Sequence, residues 1–136
     1  IVSSFSIVGF QTYKLKQNSK IAEKYITAGI YFNSDEKEKS KRIYEEILNS
    51  KNKFYSILAL NTILEKDLEN DKEKILSYFH LLENINYPKE QNDLIKFKKA
   101  LYLLKLDSPK EANEILENLS SSGSNIDYLA REVLGK

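Results

Sequence analysis

The sequence predicts an all-α protein built as an array of about three helical hairpins with a closing helix. Three observations carry this expectation. Apolar residues recur at helical spacing, only two prolines and four glycines interrupt 136 residues, and one set of packing positions returns about every 35 residues.

A chain of this length forms one compact domain or one short repeat array, and 41% hydrophobic with 30% charged residues is a composition that buries a core. The 21 Lys and Arg against 20 Asp and Glu leave no long-range field to draw in nucleic acid or an acidic lipid surface. Absence of cysteine excludes disulfides, thiolate metal sites and cysteine catalysis, and is neutral about compartment. There is no methionine either, even at position 1. The chain is therefore expected to be a fragment cut at its N-terminus.

The opening IVSSFSIVGF supplies Ile1, Val2, Phe5, Ile7, Val8 and Phe10, about half of the ~20 apolar residues that a membrane-crossing helix needs. Residues 1–16 are read as the distal part of a truncated N-terminal transmembrane helix, with Tyr13 at interface level and Lys14 and Lys16 beyond it. An amphipathic or core helix stays open as an alternative, as does a signal-peptide remnant, although no small-x-small cleavage site follows. Orientation is open because the other flank is missing. No break separates this stretch from Ala22, Tyr25, Ala28 and Tyr31, so it runs on into the first helix of a repeat domain over 17–136.

Helices are expected over 1–33, 36–49, 53–67, 71–84, 88–106, 109–120 and 125–134. Three starts share one chemistry, an oxygen-bearing cap followed three positions later by glutamate: Asp35 with Glu38, Asn70 with Glu73, and Ser108 with Glu111. Pro109 fits the first helical position, where its missing N–H costs nothing. Polar turns such as Asn49–Asn52 and Ser120–Ser124 separate the helices, and Ser124 with Asp127 begins the closing helix, which holds Ile126, Leu129, Ala130, Val133 and Leu134. With Ser40, Ile75 and Ala112 as anchors, Tyr44, Phe79 and Leu116 follow four residues later, and Ile47, Leu82 and Leu119 seven later. Twelve residues before the anchors stand Ala28, Ile63 and Ala100, so one register covers both helices of three hairpins.

These pairs resemble the eighth and twentieth positions of the 34-residue tetratricopeptide repeat. Tyr31 resembles the aromatic of that repeat's first helix, Tyr44 and Phe79 that of the second, and Pro88 lies within one residue of the closing proline. The match covers about residues 22–120. No tryptophan opens a repeat, only the first has Gly29 near the consensus glycine, and the last has Leu103 for the tyrosine. The resemblance implies a TPR-like, right-handed α-solenoid. The apolar start running into the first repeat helix, and the closing Tyr128–Leu134 stretch, are similar to the membrane-anchored periplasmic ancillary SecYEG translocon subunit (YfgM-like) family. That likeness implies a bacterial inner-membrane, single-pass protein whose repeat domain is periplasmic and binds a translocon subunit, a chaperone or an unfolded chain.

On this register the first helices offer a protein-binding groove of Tyr25, Phe32, Ile57, Leu60, Asn61, Leu64, Leu94, Phe97, Leu101 and Leu104, while the alternative is that most of them pack the array's own core. Tyr25 and Phe32 stand out because no hairpin precedes them. A carboxylate clamp is not formed, since the corresponding positions hold Ala22, Ile26, Ile57, Asn61, Leu94 and Lys98. His80 is the only histidine, so no His-based metal cluster or Ser-His dyad is expected. The mixed run Asp35–Arg42 reads as a solvated face with Glu38 placed to pair with Arg42. No phosphate-loop or dinucleotide motif appears. The expectation is a protein-interaction adaptor, neither an enzyme nor a nucleic-acid binder, with no cofactor; a scaffold that oligomerises through its array is the alternative.

Overall fold

The computed structural model describes residues 2–136, and among these there are seven helices and no strand. They are α1 (Val2–Asn33), α2 (Lys37–Asn49), α3 (Lys53–Glu65), α4 (Lys72–Glu83), α5 (Lys89–Lys105), α6 (Pro109–Ser121) and α7 (Asp127–Leu134). Every helix begins and ends within two residues of the bounds expected from sequence. Ile1, and the side chains of residues 2–7 and of Phe10 on which the membrane-segment expectation rests, lie outside what is described. Among the described residues no helix is long and apolar enough to cross a membrane.

The chain packs as two compact units, Ile1–Leu82 and Glu83–Lys136. In the first, α1, α2 and α3 pack on one another, and Lys74 of α4 reaches Glu45 of α2 at 3.8 Å. In the second, α6 packs against both α5 and α7.

The repeating register explains which side chains are hidden. All twelve of its positions, from Ala28 to Leu119, are buried to 3% exposure or less. Residues at anchor, plus four and plus seven share one helical face, so that face must turn inward. Small residues in the register let backbones approach: the Ser40 hydroxyl donates to the Ala28 carbonyl at 2.8 Å, joining α2 to α1. The buried Ser56 hydroxyl likewise donates to the Ile47 carbonyl at 3.2 Å, joining α3 to α2. Each buried hydroxyl is thereby satisfied within the core.

The capping expectations need correction. Glu36, not Asp35, precedes α2, and it makes no side-chain cap. Asp71, one residue beyond Asn70, caps α4 by accepting from the N–H groups of Glu73 and Lys74 at 2.9 and 3.3 Å. Ser108 stands at the start of α6 with Pro109 in the first turn, but its side chain makes no cap hydrogen bond. The cleanest cap is Asn52, which accepts from Phe54 and Tyr55 at the start of α3. Glu38 pairs with Lys41 at 3.5 Å rather than with Arg42.

Helix ends show a repeat that the sequence reading did not contain. Asp35, Asp67 and Asp107 all take left-handed backbone, with φ of 63°, 49° and 55°. The next N–H then reaches back five residues, Glu36 to Tyr31, Leu68 to Ile63 and Ser108 to Leu103, at 2.9–3.0 Å. These are Schellman closures, in which the reversed residue lets the chain satisfy carbonyls that the helix leaves open. α2 begins two residues after Asp35 and α6 two after Asp107, whereas α4 begins five after Asp67. The three extra residues carry Leu68 into the core and set Glu69 between two lysines.

Lys51, between α2 and α3, is also left-handed, with φ of 58°. A lysine Cβ is strained there and glycine is not. Lys51→Gly is expected to stabilise the chain by about 1 kcal/mol, measured as a higher urea midpoint at unchanged slope.

Candidate functional site

Apolar side chains stay open after core packing in both units. In the first unit, α1 and α3 pack together and carry most of the expected groove residues. Tyr25 is half-buried. Its hydroxyl lies 3.2 Å from that of Thr62, and its ring lies 5.7 Å from Tyr44, edge-on, and 5.8 Å from Tyr55. Tyr55 in turn meets Phe54 at 4.9 Å. This aromatic row ties α1, α2 and α3 together, so Tyr25 is committed on several sides. Phe32 is half-buried with the Lys66 ammonium 4.1 Å above its ring, a cation–π arrangement.

On α3, Leu60 is 2% exposed and presents almost nothing to a partner, while Ile57, Asn61 and Leu64 are half-buried. The largest open apolar residues of α1 in this region are Ile26 and Ile30, 63% and 59% exposed. Sequence reasoning passed over them as groove residues. The available signal was their spacing of four on one helix, apolar at positions where a solvated helix face would be polar.

In the second unit, Leu94 and Leu101 of α5 are 41% and 42% exposed, and Phe97, Lys98 and Leu104 are half-buried. Leu94 and Leu101 are seven residues apart and so share a face. The structure brings Tyr25, Phe32, Ile57, Leu60, Asn61 and Leu64 together on two packed helices, and Leu94, Phe97 and Leu101 together on one. His80 is exposed on α4. Among the described residues no group of His, Asp and Glu is gathered to hold a metal ion.

Two carboxylates are sequestered, Glu69 in the first unit and Asp93 in the second. Burial pulls the Glu69 carboxyl upward, but the Asp71 N–H at 3.1 Å and the Lys41 ammonium at 3.2 Å outweigh it and hold the group below the ordinary carboxylate value. Burial acts on Asp93 in the same sense. Hydrogen bonds from Lys89, at 2.7 Å, and from Ser124 again prevail and lower it. Asp93 thereby pins the turn before α7 to α5. Burial likewise pushes the Tyr78 hydroxyl up, with the charges of Glu45 and Glu69 adding to it, and burial alone pushes Tyr87 up to about 12.

A depressed carboxylate stabilises the fold fully above its unfolded value, about 4, and that contribution is lost as pH falls through the lower folded value. Unfolding free energy is therefore expected to drop with acid below about pH 4. In a urea series at stepped pH, Asp93→Asn should flatten this acid slope; an unchanged slope would show that Asp93 is not its source.

The chain matches no protein-family model, and it has no significant match among curated proteins or solved structures.

Proposed function

We propose that this chain is a protein-interaction module of the tetratricopeptide-like kind, an α-solenoid tethered to a membrane through its N-terminal helix. Its partner is an apolar polypeptide segment. The observation that carries the reading is the burial of all twelve register positions, since a register common to three hairpins is what a stacked array requires. Ile26 in the first unit, and Leu94 and Leu101 in the second, remain open. Exposed Val8, Tyr13 and Leu15 on the N-terminal part of α1 support the tether. Periplasmic placement and a translocon subunit, chaperone or emerging chain as partner follow from the resemblance to the ancillary translocon subunits.

The test is anisotropy of a labelled, unfolded apolar peptide titrated with the full chain. Ile26→Lys and Leu101→Lys should each weaken binding about tenfold, the loss from one buried aliphatic side chain, with helicity intact. Unchanged binding in both variants would remove the adaptor reading.

A second reading, a scaffold that oligomerises, draws on the closing helix. There Ala130 is buried while Tyr128 and Val133 are 61% and 40% exposed. A tight dimer in sedimentation, dissociated by Tyr128→Glu, would favour the scaffold.

A further inference from the structure

Where α1 passes the α2–α3 turn, a cleft of about 470 Å³ opens between them. Lys14, Lys51 and Lys53 line it with Asn18, Asn52 and Phe54, and none of the described lining residues is acidic. Asn52 holds the two walls in register: its side-chain oxygen caps α3 while its amide donates to the Asn18 oxygen at 2.7 Å. All three lysines are exposed, and Phe54 is 64% exposed beside them.

Two further features point to one class of occupant. The first is the reach of α1, which has 32 residues against 13 in α2 and continues past the cleft toward Val2. This overhang bears the open side chains of Val8, Tyr13 and Leu15, and α1 has only lysines as charged residues until Glu23. The second is Phe54, which lines the cleft and is 64% exposed.

We propose that this cleft docks on anionic phospholipid headgroups, at the level where the α1 overhang meets the bilayer surface. Three exposed lysines bring positive charge to a lipid phosphate, while Phe54 and Tyr13 are the amphipathic rings that settle at an interface. A soluble acidic peptide would account for the lysines but leaves Val8, Tyr13, Leu15 and Phe54 unexplained. The near-neutral net charge of +1 does not oppose this, because contacts within a Debye length of about 8 Å are set by local charge. The inference rests on the membrane tether of the proposed function and adds the lipid class to it.

The full chain is titrated with vesicles of phosphatidylcholine alone and of equimolar phosphatidylcholine and phosphatidylglycerol, and binding is read by co-sedimentation. Tighter binding to the mixed vesicles is expected. Each lysine at an anionic surface contributes about fivefold, so the triple variant Lys14→Gln, Lys51→Gln and Lys53→Gln should lose on the order of a hundredfold on mixed vesicles. Binding to phosphatidylcholine alone should be unchanged. Lys51→Gly guards against misfolding as an explanation, because it should raise the urea midpoint while weakening mixed-vesicle binding about fivefold. Equal binding of the parent to both vesicle types, or full retention by the triple variant, overturns the headgroup site and leaves the tether standing. Binding to neither vesicle type removes both. Protection of Lys51 and Lys53 from acylation by soluble polyglutamate but not by mixed vesicles would make the cleft a site for acidic protein and overturn the proposal.

Discussion

Replacement of Tyr44 by alanine is expected to cost the unit Ile1–Leu82 about 3–5 kcal/mol, the range for emptying a buried aromatic site. Tyr44 is 2% exposed, where α2 packs on α1. Its ring receives the edge contact with Tyr25, and its hydroxyl bonds to Ser40, which itself donates to Ala28. Alanine removes the ring, the edge contact and part of that chain of hydrogen bonds together, and the helices cannot close the gap without breaking the Ser40 contact. Tyr44→Phe keeps the volume and should cost only about 1 kcal/mol, one hydrogen bond. The nine tyrosines and absence of tryptophan make tyrosine emission and far-ultraviolet circular dichroism the natural probes in urea. A loss below ~1 kcal/mol for the alanine variant would show that the α1–α2 contact is not packed as described.

The second large effect is expected in the other unit. Leu116 is fully buried on α6, the helix that packs on both of its neighbours. Leu116→Ala should cost Glu83–Lys136 about 2–5 kcal/mol, seen as faster amide hydrogen exchange in α5, α6 and α7. Unchanged exchange in all three helices would show that α6 is not packed as described.

Helix bounds were legible because two local signals agree: the stripe of small and apolar residues Ser40, Tyr44 and Ile47 fixes a face, and polar turns such as Asn49–Asn52 fix its ends. Caps were less legible because several polar residues stand together at each start. Asn70 and Asp71 satisfy the same pattern, and backbone geometry alone decides that Asp71 accepts the hydrogen bonds. Asn52 went unseen as a cap because Tyr55, not glutamate, stands three residues on. The left-handed aspartates carry only a weak sequence mark, since aspartate tolerates the reversed conformation better than most residues but is equally common as a helix cap.

Groove residues were the least legible class. Whether Leu60 or Ile26 is the open one depends on which neighbour covers it, and both look alike as aliphatic residues on an amphipathic helix. The lysine cleft needed the fold itself, because Lys14 and Lys51 are far apart in sequence and meet only when α1 runs alongside the α2–α3 turn.

The length of α1 has a mechanical consequence. From Val8 to the buried Ala28 the helix extends about 30 Å at 1.5 Å per residue, and no proline interrupts it to serve as a hinge. A pull or twist applied at the outer end is delivered as torque on the joint where Ser40 clasps the Ala28 carbonyl. The first hairpin is thus coupled to the outer end of α1 as a fulcrum is to its lever.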